Sequence, residues 1–127
     1  MKGKGVVILV TAAVLLLLLI IPTLYMHAET RGYLDSIDRI KQAIREKDAA
    51  RALALFDEKL AAWDENNTLI LAFSPHAETE NIKDSIVQLQ YSLVREEYAL
   101  ALERADQLYT QINHLIDGSR LSWENIF

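Results

Sequence analysis

From Val6 to Ile21 the chain is unbroken apolar sequence in which only Thr11 is polar. With Pro22, Thr23, Leu24, Tyr25 and Met26 the uncharged stretch extends to Met26. As a helix that is roughly 31 Å, the thickness of a bilayer's hydrocarbon core. In lipid such a helix satisfies its side chains by transfer and its backbone internally. Pro22 near the outer end removes one hydrogen bond where the loss is tolerated, and Tyr25 lies where an interfacial aromatic is expected. A cleaved signal peptide is the alternative. It fits less well, because the run exceeds the usual apolar core of about 7–15 residues. The best cleavage candidate, Met26-His27-Ala28, also puts a bulky residue where a small one is wanted.

Basic residues give the orientation. Lys2 and Lys4 precede the span; Arg31, Arg39 and Lys41 follow it. The count ties once the amino terminus is included, but the lysines lie closer and so short a leader rarely crosses. The amino terminus is therefore expected in the cytoplasm and the remaining domain outside, as a single-pass protein of the cell membrane. Three segments follow: leader and anchor over 1–26, a helical domain over 27–118, and an apolar tail over 119–127.

Outside the span the chain is charged and soluble in character. Setting aside Lys2 and Lys4, 11 basic residues face 18 acidic ones, a net charge of −7 over residues 27–127. That balance argues against a nucleic-acid partner. The absence of cysteine excludes a disulfide scaffold, a thiol enzyme and a cysteine-based zinc site.

Apolar residues in this region recur in steps of three and four. The stripes are Leu34, Ile37, Ile40 and Ile44; Leu53, Phe56, Leu60, Trp63, Ile70 and Phe73; Ile82, Ile86, Leu89 and Leu93; and Leu102, Ala105, Leu108 or Tyr109, Ile112, and Leu115 or Ile116. One buried face per helix is predicted, with no strand. Charges around Lys47-Asp48 and Glu96-Glu97 mark turns, with Asp48 able to cap the next helix. Ser74-Pro75 reads as cap and first helical residue, and Gly118-Ser119 as the last stop. At an offset of 49, Asp35-Ser36-Ile37 repeats as Asp84-Ser85-Ile86, and Ala50, Ala52 and Asp57 fall on Ala99, Ala101 and Asp106. Ancient duplication and coincidence in Ala/Leu-rich helices both account for this. Either way the predicted fold is all-α: one amino-terminal transmembrane helix, then an antiparallel four-helix bundle of two αα-hairpins.

That topology gathers the histidines. His76 lies 20 positions before the second turn and His114 18 after it, while His27 leaves the membrane at the same end. His76 and Glu80, at i and i+4, can share a helix face. Imidazole and carboxylate together suit a metal ion or a pH response, which makes His76, Glu80 and His114 the candidate ligands. The spacing is generic, however, and no HExxH-type motif accompanies it, so packing and capping roles are favoured and no cofactor is expected. Trp63 stays within its apolar stripe and is expected in the core. Asn66-Asn67 are poor helix formers, so a kink or polar contact is expected there. The acidic residues Asp57, Glu58, Asp64, Glu65, Glu96, Glu97 and Glu103 read as a solvated face.

Between Arg120 and Phe127 half of the side chains are large and apolar, although a free tail is usually polar. Leu121, Trp123, Ile126 and Phe127 are the candidate interaction residues. Packing back on the bundle is favoured over the lipid interface or a partner.

A basic leader, one span, a Trp in the second helix, His76-Ala77-Glu78 opening the third, His114 late in the fourth and a terminal Glu124-Asn125-Ile126-Phe127 together resemble domain-of-unknown-function family 4363. Those are small membrane-anchored proteins of spore-forming Gram-positive bacteria. The resemblance implies no activity, substrate or catalytic residue; it suggests an accessory to another envelope protein, of the spore or cell membrane. The expected function is thus a non-enzymatic interaction protein. It would contact lipid through residues 6–26 and a membrane-protein partner through the near-membrane layer of the bundle and the tail, with a homodimer as a further option. The alternative is a sensor or ligand-binding module using the His/Glu layer. An enzyme is not expected, since no nucleophile and base pair can be named.

Overall fold

The computed structural model describes residues 2–67 and 74–126, with side chains described except at Asn66 and from residue 116 onward. Every element among the described residues is helical: α1 (Lys2–Arg45), α2 (Ala49–Lys59), a 3-10 turn (Leu60–Ala62), α3 (Trp63–Asn66), α4 (His76–Val94) and α5 (Tyr98–Ile126).

Helix α1 runs without a break from the apolar span into the soluble part, a length of about 66 Å for its 44 residues. Pro22 and Gly32 both lie inside it. The hydroxyls of Thr11, Thr23 and Thr30 donate to the carbonyls of Val7, Leu19 and Met26, at 2.7, 2.9 and 2.6 Å. Each threonine thereby satisfies its hydroxyl within its own helix, as Thr11 and Thr23 must if their segment lies in lipid. Burial changes along the same helix. The large residues from Val6 to Leu24 are exposed, whereas Thr30, Tyr33, Leu34, Ile37, Ile40, Ala43 and Ile44 are buried.

Helix α1 packs against α2 and α5, and α4 packs against α5 and α2. Between them lies one core: Ala52, Phe56, Leu60 and Trp63 from the second segment, Ile82, Ile86, Leu89 and Leu93 from α4, and Ala101, Ala105, Leu108 and Ile112 from α5. As far as they are described, the four expected stripes point inward, with Leu53, Leu102, Tyr109 and Leu115 only partly buried. Ile70, Phe73 and the side chain of Ile116 lie outside the described residues. Tyr33 and Ala43 belong to the core as well.

The two turns after α1 and α4 are built alike. After α1, the Lys47 amide donates to the Ile44 carbonyl at 3.0 Å and the Asp48 amide to Ala43 at 2.9 Å. After α4, Glu96 donates to Leu93 at 3.2 Å and Glu97 to Ser92 at 3.0 Å. This is the pairing that closes a helix through a left-handed residue, and Lys47 and Glu96 have φ of 54° and 56°. Every one of these atoms is related to its counterpart by the offset of the sequence repeat. The same offset relates the buried pairs Thr30 and Thr79, Ile37 and Ile86, Ile40 and Leu89, Ile44 and Leu93, and Ala52 and Ala101. The sequence repeat is therefore a repeat of structure. The turns adjoin, since the Tyr98 hydroxyl donates to the Lys47 carbonyl at 3.0 Å. Asp48 caps α2 as expected, accepting from the Arg51 amide at 3.1 Å.

One expected boundary is refined and two are corrected. The apolar stripe predicts a second helix reaching Ser74 with a kink or polar contact at Asn66-Asn67. It tightens into the 3-10 turn after Lys59 and breaks at Asn67, where the polar contact forms; residues 68–73 lie outside the described residues. The third starts at His76 with Pro75, not Ser74, as its cap residue, and no side chain completes the cap. Pro75 has φ −58° and ψ 133°, extended rather than helical, so the first helical bond (Thr79 amide to Pro75 carbonyl, 3.2 Å) begins one residue late. The last helix does not stop at Gly118 but continues to Ile126. No proline follows that glycine, and none of the described glycines has positive φ, so its usual stop geometry is not used.

Candidate functional site

Two polar clusters could carry chemistry. The first is the expected histidine layer. His76 and Glu80 do share a face of α4, with Nε2 and Oε1 4.0 Å apart, but the imidazole is 90% exposed. His114 is exposed and His27 half-buried. Among the described residues no three His, Asp or Glu side chains converge on a point that could hold a metal ion. Of the three expected ligands the structure thus brings together His76 and Glu80 and leaves His114 apart. Two residues one turn apart on an open helix surface neither displace water nor complete a coordination shell.

The second cluster forms at Asn66-Asn67, where a kink or polar contact is expected, but with Tyr33 and Lys59, which the sequence does not single out. Asn67 leaves the helical path with φ −123° and ψ 34°. Its side-chain amide donates to the Trp63 carbonyl at 2.8 Å. In an uninterrupted helix the backbone amide of residue 67 would make that bond, so the side chain takes over the carbonyl that the helix abandons. The same Nδ2 donates to the Tyr33 hydroxyl at 2.6 Å. Tyr33 meets the Trp63 ring edge-on, with centroids 4.8 Å apart, and the Lys59 ammonium lies 4.9 Å from the centre of the Tyr33 ring. Lys59 reaches there across Gly32; a Cβ at that position would collide with its Nζ. Burial pushes the Tyr33 phenol above its ordinary value, the bond from Asn67 offsets part of the rise, and the nearby Glu29 carboxylate adds to it. The Trp63 indole nitrogen and the Asn67 carbonyl oxygen are buried without partners. The cluster fixes where α1 and α3 meet; it places no nucleophile beside a base.

The seven acidic residues expected on the solvated face are all exposed. Two ion pairs join helices across the surface: Lys41 to Asp106 at 2.6 Å, and Lys83 to Asp64 at 3.3 Å. The side chains of Leu121, Trp123 and Ile126, and the whole of Phe127, lie outside the described residues. The backbone places the first three on the continuation of α5 rather than on a separate tail.

A long apolar helix, unburied along its amino-terminal half and continuous with a compact helical bundle, defines the class: a helical domain on a stalk long and apolar enough to cross a membrane once. Within that class the chain belongs to the family described as a domain of unknown function (DUF4363), which it matches over residues 20–126. The match takes in the carboxy-terminal end of the apolar stretch and the whole bundle. No curated protein and no solved structure matches the chain.

Proposed function

We propose that this chain is a single-pass membrane-anchored accessory protein, holding an acidic helical domain outside the cell membrane for an envelope partner. One observation carries the reading. The apolar half of α1 is wholly unburied by the protein, yet it is rigidly continuous with the half that builds the core. Transfer of such a segment into lipid is favourable by several tenths of a kcal/mol per large apolar residue, on the order of 5 kcal/mol in all. A bundle attached through an unbroken helix would stand at a set height above the bilayer. We read the bundle as two antiparallel αα-hairpins, α1 with α2 and α3, and α4 with α5. The tight turns at Lys47 and Glu96 and the pattern of neighbours support this. No catalytic role, cofactor or nucleic-acid partner is assigned.

The natural lack of cysteine makes the test direct. Single-cysteine variants Lys2→Cys and Glu103→Cys are treated with a membrane-impermeant maleimide on intact cells. Labelling of the second alone is expected, with the chain retained in the membrane through an alkaline carbonate wash. Labelling of the first reverses the orientation. Release by carbonate with a shortened chain replaces the anchor by a cleaved leader.

A further inference from the structure

The internal repeat provides a comparison for surface composition. Val87, Tyr91, Val94 and Leu100 correspond to Asp38, Gln42, Arg45 and Arg51. The turns and core of the two units agree, so the fold itself accepts polar residues at all four places. In the first unit that face is polar: Gln42 donates to Glu46 at 3.1 Å, and Arg51 pairs with Glu46 at 2.9 Å. In the second unit the face is apolar and uncovered. Val87, Tyr91 and Val94 are 44, 62 and 63% exposed, in helical steps of four and three along α4.

Beside this stripe, α4 and α5 enclose a groove of about 380 Å³ lined by Gln88, Tyr91, Arg95, Glu97, Leu100 and Arg104. Arg95 replaces the Glu46 of the first unit, and Arg104 replaces Leu55. Both units carry two arginines over these six positions, but Asp38 and Glu46 have no acidic counterpart in the second, so its net charge there goes from zero to +2 in an acidic domain. The Arg95 guanidinium lies 5.9 Å from the Tyr91 ring centre, and Arg104 donates only to the neutral Gln107, at 3.1 Å. Among the described residues neither is within ion-pair reach of a carboxylate.

We infer that this groove is the docking site for an amphipathic helix of another protein, one whose apolar stripe is edged by Asp or Glu. The exposed apolar stripe of α4, joined to the groove at Tyr91, accepts a third helix laid along it, and the two guanidinium groups select carboxylates at its edge. The groove lies at the end of the bundle where both turns meet. Along α1 that is about 30 Å beyond the end of the apolar span, out of reach of lipid headgroups. A second copy fits poorly. If the anchoring proposed above holds, two copies in one membrane stand the same way up, and a two-fold axis along the membrane normal sets Arg95 against Arg95.

The test places a photo-crosslinking benzoylphenylalanine at Tyr91 of the full chain in its native membranes, with the same residue at Gln42 as control. The expected result is an adduct with a different protein at position 91, at least about tenfold stronger than at 42, and weakened about tenfold by Arg95→Glu or Arg104→Glu. The cross-linked peptide should carry apolar residues three and four apart with flanking carboxylates. No adduct at 91, equal adducts at both positions, an adduct with lipid or a second copy, or insensitivity to both charge reversals overturns the inference. A carbonate wash of the same sample separates this from failure of the anchor: release with the adduct intact sinks the anchor alone.

Discussion

The side-chain amide of Asn67 donates to the Tyr33 hydroxyl at 2.6 Å and to the Trp63 carbonyl at 2.8 Å. One residue thus ends α3 and ties that end to α1, far earlier in the chain. Asn67 is 2% exposed, so both acceptors it serves lose their partner in a dry place. Asn67→Ala should lower stability by about 1–3 kcal/mol, and Tyr33→Phe by about 1 kcal/mol. Because the two share a bond, the double variant should lose less than the sum. Denaturant unfolding of all four chains, followed by helical circular dichroism, measures the difference. Strict additivity would remove the bond from the account.

Tyr33 also gives a pH dependence. Its phenol titrates above the ordinary tyrosine value of 10.0 in the folded chain, chiefly because burial penalises the anion. The unfolded chain therefore releases this proton first as pH rises. The contribution of Tyr33 to stability is complete below about pH 10 and is lost progressively as pH climbs toward the folded value. Melting temperature should fall more steeply above about pH 10 in the natural chain than in Tyr33→Phe, while the two profiles run parallel below it.

Lys47 and Glu96 occupy left-handed backbone with φ of 54° and 56°, where a Cβ costs about 1 kcal/mol. Glycine carries no such cost, though it loses more chain entropy on folding. Lys47→Gly and Glu96→Gly should each stabilise by about 0.5 kcal/mol, and their effects should nearly add, since the two sites use separate turn bonds. Thermal melts of the two single variants and the double variant test this.

Leu16 lies mid-way along the uncharged stretch and is 54% exposed. Leu16→Arg should reduce membrane insertion by about 2.5–3.5 kcal/mol while leaving the bundle's unfolding unchanged, because nothing in the core touches that residue. The fraction of chain resisting carbonate extraction reads the first effect, and hydrogen exchange of α4 and α5 amides reads the second.

Much of the fold was legible because helical periodicity is local. Ile37, Ile40 and Ile44 on α1, or Ile82, Ile86 and Leu89 on α4, identify a buried face from spacing alone, and Asp48 identifies a cap from its side-chain chemistry. Trp63 likewise proved to be core, at 3% exposure. The errors fall where distant residues compete with local preference. Gly118 has the composition of a stop, but the helix passes through it. Ser74 has the chemistry of a cap, but extended Pro75 delays the start. Tyr33 sits one step aside from the stripe through Leu34, and only Asn67 and Trp63, brought from the far end of the second segment, place it inside.

The sequence alone determined that the chain has one stretch apolar enough for lipid and a charged remainder made of helices, because both properties are sums over near neighbours. It also held the internal repeat. Tertiary structure decided that the repeat is real, since matched turn bonds and matched buried positions cannot be counted from letters alone. It decided as well that His76 and Glu80 share an open helix face with no third ligand among the described residues, and that Asn67 and Tyr33 form a buried pair. Both depend on which helix faces meet, and that is settled by the packing of all the side chains together.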